Sequence, residues 1–305
     1  MNLSELLESV RRVELRTNRL VTDSMVGAYL SRFKGRGMEF EELREYLPGD
    51  DVRDLDWNVT RRMGRPFVKH YREERELAVV LAVDVSGSLH FGSGERTKAE
   101  LAAEIAATLA FSAARNGDKV ALLLFTSEVE QYVPPRKGRR HILRLIRELV
   151  AVHPRRKGTH LAGALQFLNR VVKRRALVFL ITDFLHLPAT QGASASGIPD
   201  LAMELGLTHV RHDMVCLHLH DPLEGALPRA GLVTLEDAET GELLEVDTLR
   251  RSNADLYARE NRNRLAALDS ALNRTGVDTL RLDATQPFSA KLQRFFELRR
   301  GRRHG

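Results

Sequence analysis

From Leu77 onward, short apolar runs of strand length recur along the chain, each followed by a segment with helical spacing, and this alternation restricts the possible folds severely. LAVVLAV (77–83) is continuous and β-branched, as expected of a strand buried on both faces. RTKAELAAEIAATLAFSAARNG follows with helical periodicity and stops at Asn116 and Gly117, residues that end helices readily. VALLLF (120–125), ALVFLIT (176–182), MVCLHLH (214–220) and the run 277–282 repeat the strand pattern, and helices are predicted around 141–150, 161–173, 254–274 and 289–299. Strands separated by helices pair in parallel through right-handed crossovers, so the predicted class is α/β, a doubly wound, mostly parallel sheet flanked by helices. GLVTLEDAETGELLEV breaks the rhythm, because two alternating runs flank Ala238 to Gly241 and predict a β-hairpin inserted at about 229–248.

Residues 1–76 do not follow this repeat and are expected to form an N-terminal module, leaving 77–300 to the α/β domain and 301–305 to a basic tail. A helix opens the module, followed by GRGMEFEELREYLPGDDVRDLDWN with its Pro48-Gly49 turn signal; its fold is not legible from pattern. Charge is zoned along the chain: Glu39 to Asp56 holds eight acids and two bases, whereas Pro134 to Lys157 holds nine bases and Glu148 alone as acid. Arg299, Arg300, Arg302 and Arg303 read as a solvated end. With Cys216 as the single cysteine, an intramolecular disulfide and a paired-cysteine zinc site are both excluded, which favours a reducing compartment. No stretch of about 18 apolar residues occurs, so a soluble cytoplasmic protein without direct membrane insertion is expected.

In an open parallel sheet, ligands bind beyond the carboxyl ends of the strands, where the strand order reverses. The sequence places VDVSGSL (Asp84, Ser86, Ser88), KGTHL (Thr159) and ITDF (Asp183) just after strands, Thr159 and Asp183 at later strand ends. Two carboxylates and three hydroxyls, all oxygen donors, match the preferences of a hard cation. Because hydroxyl ligands are neutral, a divalent ion held this way keeps positive charge to share with an outside carboxylate. The basic run Arg136, Lys137, Arg139, Arg140, Arg155, Arg156, Lys157 flanks the Thr159 loop and would concentrate acidic ligands there. It lacks the interleaved aromatics of a base-stacking surface, so an acidic protein partner is expected and nucleic acid is not.

Asp84-x-Ser86-x-Ser88 with Thr159 and Asp183 resembles the metal-ion-dependent adhesion site of von Willebrand factor A domains. The resemblance implies Mg²⁺, or another divalent cation such as Mn²⁺ or Ca²⁺, touched by the serines and the threonine, with the aspartates acting directly or through water. Upstream, Gly35-Arg36-Gly37-x-Glu39-Phe40 and Arg44-x-Tyr46-x-Pro48-Gly49-Asp50-Asp51-x-Arg53-x-Leu55-Asp56-Trp57 resemble the signature of DUF58 proteins, and the hairpin and closing segments resemble that family too. The resemblance implies a non-enzymatic interaction module working beside a MoxR-type AAA+ ATPase, in a chaperone-like role, with that ATPase or an acidic client as partner. Arg61-Arg62 departs from the family pattern, which often has a small residue before the arginine.

Other chemistries fit less well. A Mg²⁺-dependent phosphohydrolase using Asp84 as nucleophile is the alternative, but the second aspartate wanted two positions on is Ser86. GSGERTK (Gly92 to Lys98) has Thr97 where a phosphate-binding loop needs glycine, and neither Ser86 nor Ser88 has the glycine setting of a hydrolase elbow. Asp54-x-Asp56-x-Asn58 starts like a calcium loop, yet Val59 and Arg65 replace the required Gly and Glu. Asp50, Asp51, Asp54 and Asp56 are instead read as a structural network with Arg36, Arg44 and Arg53. Cys216, His218 and His220 share one face of a strand and are read as packed side chains rather than a soft-metal site.

Overall fold

A computed structural model describes residues 13, 37–74, 77–185, 197–238 and 241–302, and the chain divides into two compact units that meet in sequence at Leu77/Ala78. In the smaller unit, β1 (Gly37–Glu45) pairs antiparallel with β2 (Phe67–Glu74), with a bulge between Phe40 and Glu42. Between them lies the short helix α1 (Trp57–Met63), which begins where the Asp56 carboxylate accepts the Asn58 and Val59 N–H groups and ends at Gly64 in the left-handed conformation. The expected acid–arginine network is realised in part. Arg44 grips Asp50 through two hydrogen bonds of 2.7 and 2.9 Å, whereas Asp51 caps the 3₁₀ turn Val52–Asp54 and Asp56 pairs with Lys69 at 3.3 Å. Arg36 lies outside the described residues.

The larger unit contains β3 (Ala78–Asp84), α2 (Lys98–Arg115), β4 (Lys119–Phe125), β5 (Val129–Arg136), α3 (Arg139–Ala151), α4 (Leu161–Val171) and β6 (Leu177–Thr182). After these come α5 (Gly197–Arg211), β7 (Asp213–His220), α6 (Pro222–Gly225), β8 (Leu232–Glu236), β9 (Leu243–Asp247), α7 (Arg251–Thr275), β10 (Asp278–Asp283) and α8 (Ser289–Arg302). Six strands form one sheet in the order β10-β7-β6-β3-β4-β5, parallel except for β5. Numbered by their sequence order within the sheet, the strands lie 3-2-1-4-5-6, the doubly wound arrangement, and the switch point falls between β3 and β6. The predicted fold class is the observed one. β3, β4, β6 and β7 are sealed by the apolar faces of the helices: Val80, Ala82, Leu123, Leu180 and Met214 pack with Leu165, Leu205, Leu268 and Leu272 in one core.

In the larger unit β5, α5 and the short α6 have no counterpart in the sequence reading. β5 was seen only as part of the basic zone; it carries Pro134 and Pro135, which a sheet tolerates at an edge, and an edge is where it lies. α5 went unread. The hairpin forms as expected, with Leu232 opposite Asp247 and Glu236 opposite Leu243. The solvated reading of Arg299 is corrected: α8 runs on to Arg302, and Arg299 is buried, its guanidinium 2.7 Å from Asp213 and paired also with Asp278. An arginine in an arginine-rich tail looks solvated until two carboxylates on neighbouring strands are known to face it.

Candidate functional site

Because β3 and β6 are adjacent and parallel, their last residues share one edge, and side chains just beyond them meet there. Asp84 ends β3 and is 1% exposed; one carboxylate oxygen accepts the Ser86 N–H (2.9 Å) and the other accepts the Thr182 hydroxyl (2.7 Å) across the switch point. The Ser86 hydroxyl oxygen lies 3.2 Å from that of Ser88, and the Ser88 hydroxyl reaches Asp183. Four of the five expected donors therefore form one hydrogen-bonded chain. Thr159 is not at a strand end as expected but in the loop between α3 and α4, on the β4 side: Gly158, with φ +82°, turns the loop against Ser127, and the His160 N–H binds the Thr126 carbonyl at 2.9 Å. The bonds joining the other four do not include Thr159. A cavity of about 370 Å³ opens beside Asp84 and Ser86, lined also by Leu89, Arg96, Thr97 and Glu100.

The electrostatics of the two aspartates differ. Burial, and then the charge of Asp183, push the Asp84 carboxyl up to about 7, more than the Thr182 and Ser86 hydrogen bonds pull it down. Asp183 is as deeply buried, but the Lys98 ammonium beside it, helped by the Leu185 N–H and Ser88, more than offsets burial and holds it below the ordinary carboxylate range. Lys98 is fully buried, with Nζ 2.6 Å from Asp183 and paired also with Glu224. Burial raises the Glu224 carboxyl in spite of that contact. Phe184, next to Asp183, is buried with φ +56°, a strained backbone for an aromatic residue; its carbonyl accepts from Arg264 at 3.1 Å. Strain of this kind gathers where a site fixes its geometry.

Lys98 and Glu224 were missed by the sequence reading, although both carried a signal. Thr97-Lys98-Ala99-Glu100 and Asp221-Pro222-Leu223-Glu224 are capping boxes, so they locate two helix starts at this edge. GSGERTK is the loop leading into the first of these starts. Among the described residues no three His, Cys, Asp or Glu side chains converge as a metal cluster, so an ion here would depend on hydroxyl oxygens. Cys216 lies in the core, and His218 stands edge-to-face on Phe184 at 5.3 Å.

The described structure thus defines an open α/β domain with an oxygen-lined, carboxylate-bearing site at its switch point. The model of the family described as "Protein of unknown function DUF58" matches residues 42–267, and the chain belongs to that family. Uncharacterized proteins of Mycobacterium bovis and Mycobacterium tuberculosis are each 31% identical over 300 residues, covering 97% of this chain and 90% of the relative. Among solved structures, the conserved hypothetical protein BatB from Bacteroides thetaiotaomicron aligns with a TM-score of 0.46 and 15% identity over 73% of this chain and 98% of that one. A von Willebrand factor type A protein from Catenulispora acidiphila aligns with a TM-score of 0.38 and 18% identity over 61% of this chain and 42% of that one. These are likenesses of fold and carry no ligand with them. Among the described residues no helix is long and apolar enough to cross a membrane.

Proposed function

We propose that the chain is a metal-dependent interaction module rather than an enzyme. Asp84, Ser86, Ser88, Thr159 and Asp183 would hold one divalent cation, Mg²⁺ being preferred, and an acidic side chain of a partner would complete its coordination. The observation that carries this reading is the charge at the switch point: two carboxylates are buried side by side, and among the described residues Lys98 is ion-paired to Asp183, whereas Asp84 accepts from the Ser86 N–H and the Thr182 hydroxyl. A hard dication is what such oxygens lack. When bound, the ion supplies a Lewis-acidic point for a carboxylate. The chain's own part is to orient hydroxyls through the Asp84–Ser86–Ser88–Asp183 hydrogen bonds and to keep water from the buried faces.

The resemblance noted in the sequence makes a MoxR-type AAA+ ATPase, or an acidic client of it, the partner to test, in a cytoplasmic setting. Co-purification from the native cell should recover that partner in Mg²⁺ and lose it in chelator or with Asp84→Ala, while the variant keeps its fold by circular dichroism. Capture that survives both treatments contradicts the reading. Mg²⁺-dependent turnover of a generic phosphate ester, lost in Asp84→Asn, would favour the phosphohydrolase instead.

A further inference from the structure

Lys98 is an unusual choice for its place. It is the first residue of α2, where the helix dipole disfavours a cation, and burying an ammonium is costly unless it is closely paired. Its position is nonetheless fixed from two sides. On its own side, the Thr97–Glu100 capping box starts the helix, and Arg96 binds the Ala284 carbonyl at 2.7 Å and Glu104 at 3.0 Å. On the other side, Glu224 belongs to the capping box begun by Asp221, and Asp221 accepts both the N–H and the hydroxyl of Ser93 at 2.8 and 2.7 Å. The two loops that carry Lys98 and Glu224 are thereby tied together over the site. Two carboxylates, Asp183 and Glu224, share one ammonium, and that ammonium stands on an oxygen of the expected metal ligand Asp183.

We propose that Lys98 is a built-in rival of the metal ion: its ammonium, seated between Asp183 and Glu224, competes with the divalent cation for Asp183 and sets how tightly the site holds metal. This inference rests on the metal reading given above. Its consequence is cooperative loading. With Asp183 engaged by Lys98, the ion has one strong anionic ligand in Asp84 and is held weakly by the chain alone; a partner's carboxylate adds the missing negative charge, so ion and partner stabilise each other's binding, as linkage requires. Lys98 thus keeps the module from loading metal firmly until the acidic ligand arrives.

Competition and simple charge screening are separable because Lys98 and Glu224 can be removed together. Lys98→Met/Glu224→Gln leaves the net charge of the site unchanged but frees Asp183. Titration of Mn²⁺ into the metal-stripped full-length chain, read by calorimetry and by electron paramagnetic resonance of the free ion, should show at least tenfold tighter binding in the double variant than in the unsubstituted chain. Glu224→Gln alone, which leaves Lys98 wholly on Asp183 and removes a negative charge, should bind at least fivefold more weakly, and it tests the idea if the double variant does not fold. Affinities within twofold of one another across the three proteins would overturn the rivalry while leaving the metal site standing. Tight binding in the double variant with none in the unsubstituted chain would support the rivalry in its strongest form, with loading left wholly to the acidic partner. No binding in any of them overturns both.

Discussion

Asp84 is held where its charge is poorly compensated, beneath the sheet edge and beside Asp183. A carboxyl raised to about 7 from an ordinary value near 4 implies an ionised form disfavoured by roughly 4 kcal/mol in the folded chain. The raised value means that the folded chain binds the extra proton between about pH 4 and 7, so this contribution lowers stability as pH rises through that window. In chelator at pH 8, Asp84→Asn should therefore melt several degrees above the unsubstituted chain, and it alone of the two should show no rise on adding Mg²⁺; a lower melting temperature in chelator would contradict the account. His218 works in the opposite direction. Burial, then the charge of Arg281, push it down to about 3, so below about pH 6.5 the unfolded chain takes up a proton that the folded chain refuses, and stability falls with falling pH. His218→Gln should lose about 2 kcal/mol less than the unsubstituted chain between pH 7 and 5 in urea unfolding. Equal losses would show that this histidine does not titrate as its burial demands.

At the scale of elements, the loops around the site are braced by contacts that side-chain patterns alone do not announce. Gly87, between the two serines, has the Ala238 carbonyl of the hairpin turn pressed against it; a methyl group there would come within 2.3 Å of that oxygen. Gly87→Ala should displace the hairpin tip and destabilise the chain by about 1–3 kcal/mol, with faster amide exchange across 232–247 and unchanged protection in β3 and β6. Protection unchanged in the hairpin would mean that its tip does not rest on Gly87. Farther along the sheet, Arg299 joins α8 to β7 and β10 through Asp213 and Asp278. Removing one partner from a buried ion pair leaves bare charge, so Arg299→Met should cost about 3–5 kcal/mol in denaturant unfolding, whereas a solvated arginine would cost almost nothing.

Across the whole molecule, the parts written in periodicity were legible and the parts written in long-range charge were not. Buried strands such as ALVFLIT announce themselves because both faces are covered, and the position of Asp84 and Asp183 at strand ends follows from that. β5 stayed hidden because its prolines and polar residues suit an edge, and edges lack the apolar signature. Lys98 and Glu224 are 126 positions apart, and nothing local to either residue tells that they meet; their capping boxes locate only the two helix starts. Phe184 gives no sequence hint of its left-handed backbone. The smaller unit was not legible: Asp51 and Asp56, read as partners of arginines, cap the starts of helical turns. Everything proposed for the larger unit depends on one ion reaching the oxygens at the switch point. Crystals of the full chain soaked in Mn²⁺ and measured at the manganese edge test that directly. The account predicts a single anomalous peak within about 2.0–2.3 Å of the Ser86 and Ser88 hydroxyls, and a map without that peak, with the Lys98 ammonium alone filling the carboxylate cluster, would contradict it.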